Sequence, residues 1–196
     1  MSKDIRRSRV ALITHDVELK IKKLASPVLS GKLRARPFYR MYPYSGGVLH
    51  PSVDRRGLID FELGVFFSGI PKAANSSVTI NLAEARFGER IASPQAKKLF
   101  LFPSQISEPQ ALSVSNLYRF TFVRDPYSRI LSAYLDKIVR GKTIPSELRR
   151  RSGLYPTFED FCRYLSDGGL YDNIHWAPQT TLLHLPIDQY DFIGKT

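Results

Sequence analysis

Residues 65–82, VFFSGIPKAANSSVTINL, restrict the folds open to this chain more than any other stretch. Val65, Phe66 and Phe67 form a short apolar run of the kind that becomes a buried strand. Gly69, Ile70 and Pro71 break that run, and Val78, Leu82 and Ala85 then recur at helical spacing. The pattern predicts a strand, a tight loop and a helix, with Lys72 in the loop and Asn75, Ser76 and Ser77 at the helix mouth. The free N–H groups at a helix N-terminus point outward at the positive end of the dipole, which makes that end an anion seat. Ala73 and Ala74 are small enough for an anion to approach the backbone, Lys72 adds a full charge, and the two serines add hydroxyl donors. A phosphate or a sulfate suits this combination. An ordinary strand-to-helix turn with a solvated lysine accounts for the same residues equally well.

The loop is not the common nucleotide-binding one, which carries glycine before its lysine and Ser or Thr after it. Here Pro71 precedes Lys72 and Ala73 follows. A second strand-turn-helix follows in residues 118–139, YRFTFVRDPYSRILSAYLDKIV. Phe120, Phe122 and Val123 read as a buried strand with Arg124 at its end. Asp125 suits an N-cap and Pro126 the first helical position. Ile130, Leu131, Tyr134, Leu135 and Ile138 mark the apolar face expected of that helix, and Ser128 and Ser132 share another face. A cap at Asp125 and a surface ion pair at Arg124 explain this turn taken alone, but not its repetition of the first.

Composition limits the partners. The 29 Lys and Arg outweigh 18 Asp and Glu for a formal net charge of +11, which favours anions. Nucleic acid, acidic membrane, an acidic glycan and a polyphosphorylated cofactor all qualify. With 196 residues and a single cysteine, Cys162, the chain suits one domain without internal disulfides. Its histidines and cysteine are too scattered for a metal-site pattern. No transmembrane span or cleavable signal is visible, so a soluble, cytoplasmic protein is the expectation.

Residues 1–57 read as a basic N-terminal arm of unknown role and residues 58–196 as the domain proper. The arm interleaves Arg34, Arg36 and Arg40 with Phe38, Tyr39, Tyr42 and Tyr44. Its rings are expected to pack on the domain while the arginines stay solvated; a nucleic-acid or sugar surface is the alternative. Downstream, residues 99–102 suggest a short strand and residues 141–153 an exposed basic connector. Thr157 to Asp160 resembles a capping box that opens a helix with Phe158, Phe161, Cys162 and Leu165 on its apolar face. Cys162 therefore reads as core and not as a nucleophile.

Together these blocks resemble the carbohydrate (family 2) sulfotransferases. Pro71-Lys72-Ala73-Ala74-Asn75-Ser76-Ser77 is similar to that family's loop for the 5′-phosphosulfate of 3′-phosphoadenosine 5′-phosphosulfate (PAPS). Val123-Arg124-Asp125-Pro126 through Ser132 resembles its 3′-phosphate motif, in which an arginine and a serine eight residues later hold that phosphate. His175-Trp176-Ala177-Pro178-Gln179 and Tyr190-Asp191-Phe192-Ile193-Gly194-Lys195 resemble its C-terminal signature. The resemblance spans roughly residues 62–195. It implies a three-layer, P-loop-like α/β fold around a central parallel sheet. It also implies sulfuryl transfer from PAPS to a hydroxyl of a carbohydrate acceptor, with acidic glycans among the candidates and no metal required.

In that reading Lys72 is catalytic, and Pro71, Lys72, Ala73, Ala74, Asn75, Ser76, Ser77, Arg124 and Ser132 bind PAPS. His175 is the candidate base, with Glu84 and His184 behind it; an ordering role for His175 against Trp176 is equally open. Animal members carry a membrane anchor and luminal disulfides, so the chain looks more like a bacterial member. Family members also continue past the Ile-Gly-Lys block, which raises the possibility of a truncated C-terminus and an incomplete acceptor site. A non-catalytic cofactor binder and a basic nucleic-acid-binding module remain the alternative functions, although no nucleic-acid-binding signature supports the latter.

Overall fold

The computed structural model describes residues 28–153 and 155–196. Four strands, β1 (Gly57–Asp60), β2 (Val65–Ser68), β3 (Tyr118–Val123) and β4 (Phe192–Lys195), form one sheet in the order β1-β2-β3-β4. β2, β3 and β4 run parallel, while β1 lies antiparallel to β2 at the edge. The expected parallel sheet is therefore mixed. Asp60 explains the hairpin: its carboxylate accepts the N–H groups of Glu62 and Leu63, which turns the chain straight back. The strand expected at residues 99–102 is reduced to one antiparallel bridge, Ile59 to Leu101, because Pro103 lacks the N–H that would extend it.

Side chains alternate across the sheet, and both faces are covered. On one face Ile59 and Phe66 pack with Phe38 and Tyr39 of α2 (Pro37–Met41) and Ala111 of α6 (Glu108–Leu112). On the other Leu58 and Phe67 pack with Ala83 of α4 (Asn75–Phe87), Ala96 of α5 (Ser93–Ala96) and the rings of Phe120 and Phe122. Helix, sheet and helix thus make three layers. Phe66 and Phe67 are both 0% exposed, and burial of such a side chain is worth about 1.5–3 kcal/mol. Between the helical residues 28–34 (α1) and β1, the aromatics of the arm turn inward and Arg34, Arg36 and Arg40 stay exposed. α3 (His50–Asp54) also belongs to this layer: buried Asp54 accepts the Tyr39 hydroxyl at 2.9 Å.

A second core lies beyond β3. α7 (Pro126–Ala133) passes into a π-helical turn, Tyr134–Val139, and Ala133 and Ile138 pack against Phe161, Tyr164 and Trp176. Residues 141–153 are not merely an exposed connector. They contain α8 (Ser146–Ser152), which buries Leu148 against this core and shows Arg150 and Arg151 to solvent. α9 (Phe158–Ser166) opens on the expected box, Thr157 and Asp160. Its inward face is Phe161 and Tyr164, whereas Phe158 is exposed and Cys162 only half-buried. Burial raises the Cys162 thiol pKa, which leaves it a poor nucleophile.

Residues 190–194 of the C-terminal signature pack the fold. Asp191 grips Arg119 through two oxygens at 2.9 and 3.0 Å, and that pairing holds its pKa down to about 2. The Tyr190 hydroxyl meets Ser68 Oγ at 2.7 Å in the core. Gly194 is glycine because a Cβ there would come within 2.4 Å of the Phe122 ring. No helix among the described residues is long and apolar enough to cross a membrane.

Candidate active site

The first loop leaves β2 at Ser68 and enters α4 at Asn75. Lys72 and Ala74 both adopt left-handed backbone, with φ 71° and 51°. Such conformations cost roughly 1–3 kcal/mol for residues other than glycine and gather at sites where the strain has a use. Here they turn the chain so that no side chain among the described residues caps α4, while Ser76 and Ser77 stand exposed at its mouth. Pro71 and Ala73 are buried beneath, and the buried Asn75 Oδ1 lies against Gly69.

The second turn forms as its residues predict. The Asp125 carboxylate accepts the Ser128 N–H at 2.9 Å, and Pro126 begins α7. Because β2 and β3 are parallel neighbours, both loops emerge at the same end of the sheet. Lys72, Arg124, Ser128, Ser132, Asp136 and Arg140 accordingly line one cleft of about 460 Å³. Arg124 also donates to the Lys72 carbonyl at 3.4 Å. Leu131 and Leu135, expected to be buried, are 45% and 50% exposed and line this cleft instead. The buried side of α7 belongs to Arg129 and Ala133.

Three residues that hold the site together had no assigned role in the sequence reading. Arg129 is 2% exposed and donates to the carbonyls of Pro71 at 3.0 Å, Ile174 at 3.0 Å and Ala177 at 2.7 Å. It ties the first loop, α7 and the 174–177 segment at one point. Desolvation lowers its pKa to about 10, so it stays charged at neutral pH. Gln179 accepts the Arg124 N–H at 2.9 Å and donates to its carbonyl at 2.8 Å, which fixes the backbone that carries the guanidinium. Asp136 receives Lys72 Nζ at 2.5 Å and Lys142 Nζ at 2.8 Å, with Lys137 at 3.3 Å. The bonds from Lys142, then Lys72, hold its carboxyl far below the usual range. An arginine in a helix ordinarily reads as surface, and nothing local in the sequence marks this one as buried. The spacing from Ser132 to Asp136, four residues on one helix face, was the available signal for Asp136.

The candidate bases fare differently. Glu84 is exposed and pairs with Arg90 at 3.4 Å, away from the cleft. His184 is a core residue: its Nδ1 meets Ser68 Oγ at 3.0 Å, its Nε2 meets the Val53 carbonyl at 2.9 Å, and burial lowers its pKa to about 4. His175 does not stack on Trp176, whose ring packs edge-on against Phe161 and Tyr164. Its Nδ1 is buried without a partner among the described residues. Burial, then the nearby charge of Lys137, lowers the His175 pKa to about 3; Lys72 acts in the same direction and Asp136 opposes it. The ring is neutral at pH 7 and weakly basic.

Comparisons with known proteins identify the family. Carbohydrate sulfotransferase 14 of Mus musculus is 36% identical over 42% of this chain and 26% of its own length. The protein of the same name from Danio rerio is 36% identical over 40% of this chain and 26% of its own. The one from Homo sapiens is 35% identical, with 42% and 26% covered. The match thus spans about a quarter of the length of these relatives, and no solved structure gives a significant match. A profile of the sulfotransferase family matches residues 56–196, a range that contains both loops, the cleft and β4, and the chain belongs to that family.

Proposed function

We propose that the chain transfers a sulfuryl group from PAPS to a hydroxyl of a carbohydrate acceptor. The observation that carries this reading is the convergence of Lys72 and Arg124 on one cleft beside the uncapped N-terminus of α4. The residues present fit a donor with phosphates at two ends. Lys72, Ser76, Ser77 and the first N–H groups of α4, on the loop formed by Pro71, Ala73, Ala74 and Asn75, suit the 5′ end. Arg124 and Ser132 suit the 3′-phosphate. When bound, PAPS supplies an activated sulfuryl: its S–O bond to phosphate breaks while the acceptor oxygen bonds to sulfur, and the acceptor proton must be taken up.

Lys72 places positive charge where the leaving phosphate gains negative charge, and interactions that grow in the transition state raise the rate. Asp136 holds the Lys72 ammonium within the cleft at 2.5 Å. His175 is our candidate for the proton acceptor. Its imidazole is neutral, but a pKa near 3 makes it a weak base, so its contribution is smaller than that of Lys72.

Calorimetry with adenosine 3′,5′-bisphosphate, and with AMP as control, tests the reading. Arg124→Ala should weaken the bisphosphate tenfold to a hundredfold, since a charged hydrogen bond to phosphate is worth about 1.5–3 kcal/mol, and should leave AMP nearly unchanged. Equal losses for both ligands would make Arg124 a support of the fold instead.

A further inference from the structure

A second groove, of about 750 Å³, opens on the far side of the Lys72 loop, and the cleft described above does not share its lining. Sheet order explains where it lies. β1 is antiparallel to β2, so the start of β1 and the end of β2 occupy one end of the sheet: Gly57 pairs with Ser68, and the Arg56 carbonyl accepts the Gly69 N–H at 2.8 Å. Neighbouring strands lie about 4.7–4.9 Å apart. Across this end of the sheet the order is therefore Arg56, the Lys72 loop, then Arg124. The antiparallel Ile59–Leu101 bridge sets Pro103 against Gly57 at the outer edge, and Lys97 lines the groove with Arg56, close enough to feel its charge.

The groove is strongly cationic. Lys32, Arg36, Arg55, Arg56, Lys97 and Lys98 line it, with Asp54 the one carboxylate. Asp54 is already committed, since it accepts the Tyr39 hydroxyl at 2.9 Å and the Ser104 N–H and hydroxyl at 2.9 and 2.7 Å. Arg56 Nε is buried with no partner among the described residues. Lys97 forms no ion pair among the described residues, and burial, with the charge of Arg56 beside it, lowers its pKa to about 8. Six cations face one carboxylate, and two of them, Arg56 and Lys97, are partly desolvated like charges that an incoming anion stabilises. Leu33, Pro51 and Phe102 add apolar surface against which sugar rings can lie.

We propose that this groove is the acceptor subsite, in which Arg56 and Lys97 grip an anionic group of an oligosaccharide on a residue near the one being sulfated. This rests on the transferase reading. With the 3′-phosphate toward Arg124, the reacting end of the donor lies at Lys72, and the next strand over presents Arg56. An acidic chain seated along the β1 edge runs toward that end, while a neutral chain gains nothing from the cations.

The test uses the full chain saturated with adenosine 3′,5′-bisphosphate and titrated by calorimetry with four probes. These are maltohexaose, unsulfated chondroitin hexasaccharide, chondroitin 4-sulfate hexasaccharide and a 12-nucleotide single-stranded RNA. The chondroitin probes should bind at least tenfold more tightly than maltohexaose, and comparison of the two separates carboxylate from sulfate as the anion gripped. Arg56→Gln and Lys97→Gln should each weaken chondroitin binding at least fivefold. Neither should change bisphosphate affinity, which also reports that the variants are folded, and Arg163→Gln on α9 should change nothing. The proposal is overturned if charged and neutral hexasaccharides bind alike, or if both variants bind chondroitin as the wild type does. It is equally overturned if RNA binds more tightly than chondroitin through the same two residues. Absence of bisphosphate binding in the wild type would overturn the transferase reading and the acceptor role together. Normal bisphosphate binding with chondroitin affinity indifferent to Arg56 and Lys97 would overturn the groove alone.

Discussion

Replacing Arg129 with methionine removes a buried guanidinium and leaves three carbonyls, those of Pro71, Ile174 and Ala177, without the donor they share. Hydrogen bonds to a charged group contribute about 1.5–3 kcal/mol each, but the charge also had to be desolvated, which offsets part of the sum. Methionine returns some packing and removes the desolvated charge. The stranded carbonyls nevertheless cost about 1–3 kcal/mol apiece if water cannot reach them. A net loss of about 3–5 kcal/mol follows, in the range found when one partner of a buried charged network is removed. For a domain of this size 1 kcal/mol corresponds to about 2–4 °C in Tm, so melting should fall by roughly 6–20 °C. Urea unfolding followed by circular dichroism gives the free energy directly, with wild type and variant compared at constant m-value. Arg129→Lys should recover a minority of the loss, because one ammonium cannot reach all three carbonyls in the plane of a guanidinium. A loss below about 1 kcal/mol for Arg129→Met would refute the view that this residue ties the site together, since so small an effect is typical of surface positions.

Four further outcomes are expected. Lys72→Ala should slow single-turnover sulfate transfer by about 10²–10³ while only modestly weakening the bisphosphate. Asp136→Asn, which removes a carboxylate from an anion cleft, should slow transfer yet tighten bisphosphate binding; weaker binding would assign Asp136 a purely structural role. Stability should fall as pH drops from about 6.5 toward 4. His184 and His175 have folded pKa values of about 4 and 3, below the ordinary 6.5, so the unfolded state binds more protons in that window. Urea midpoints at pH 7, 5.5 and 4.5 measure this, and a flat profile would contradict burial of the two rings. Gly69→Ala should destabilise the first loop by about 1–3 kcal/mol, because the new Cβ would lie 2.1 Å from Asn75 Oδ1 and 3.0 Å from the Arg56 carbonyl. Denaturant titration showing no loss would mean that Asn75 swings aside freely.

Much of this protein is local and could be read from the chain. The apolar run at residues 65–67, the proline break and the serines of the first loop specify strand, loop and helix mouth by short-range sterics and hydrogen bonding. Asp125-Pro126 and Thr157 with Asp160 specify helix starts for the same reason, and the structure forms the corresponding caps. Tertiary structure decided what depends on neighbours distant in sequence. The antiparallel placement of β1 follows from the Asp60 turn and puts Arg56 beside the Lys72 loop. The turning of Leu131 and Leu135 toward the cleft, and of Arg129 into the interior, depends on how α7 docks against the 174–177 segment. Amphipathic spacing identifies a helix face but not which partner covers it. His184 and His175 illustrate the same limit: one is held by Ser68 and Val53, the other is buried near Lys72 and Lys137, and only packing across the fold separates these two environments. Residue type and spacing thus disclose the loops that can receive an anion, while long-range burial decides which charges stay free to use.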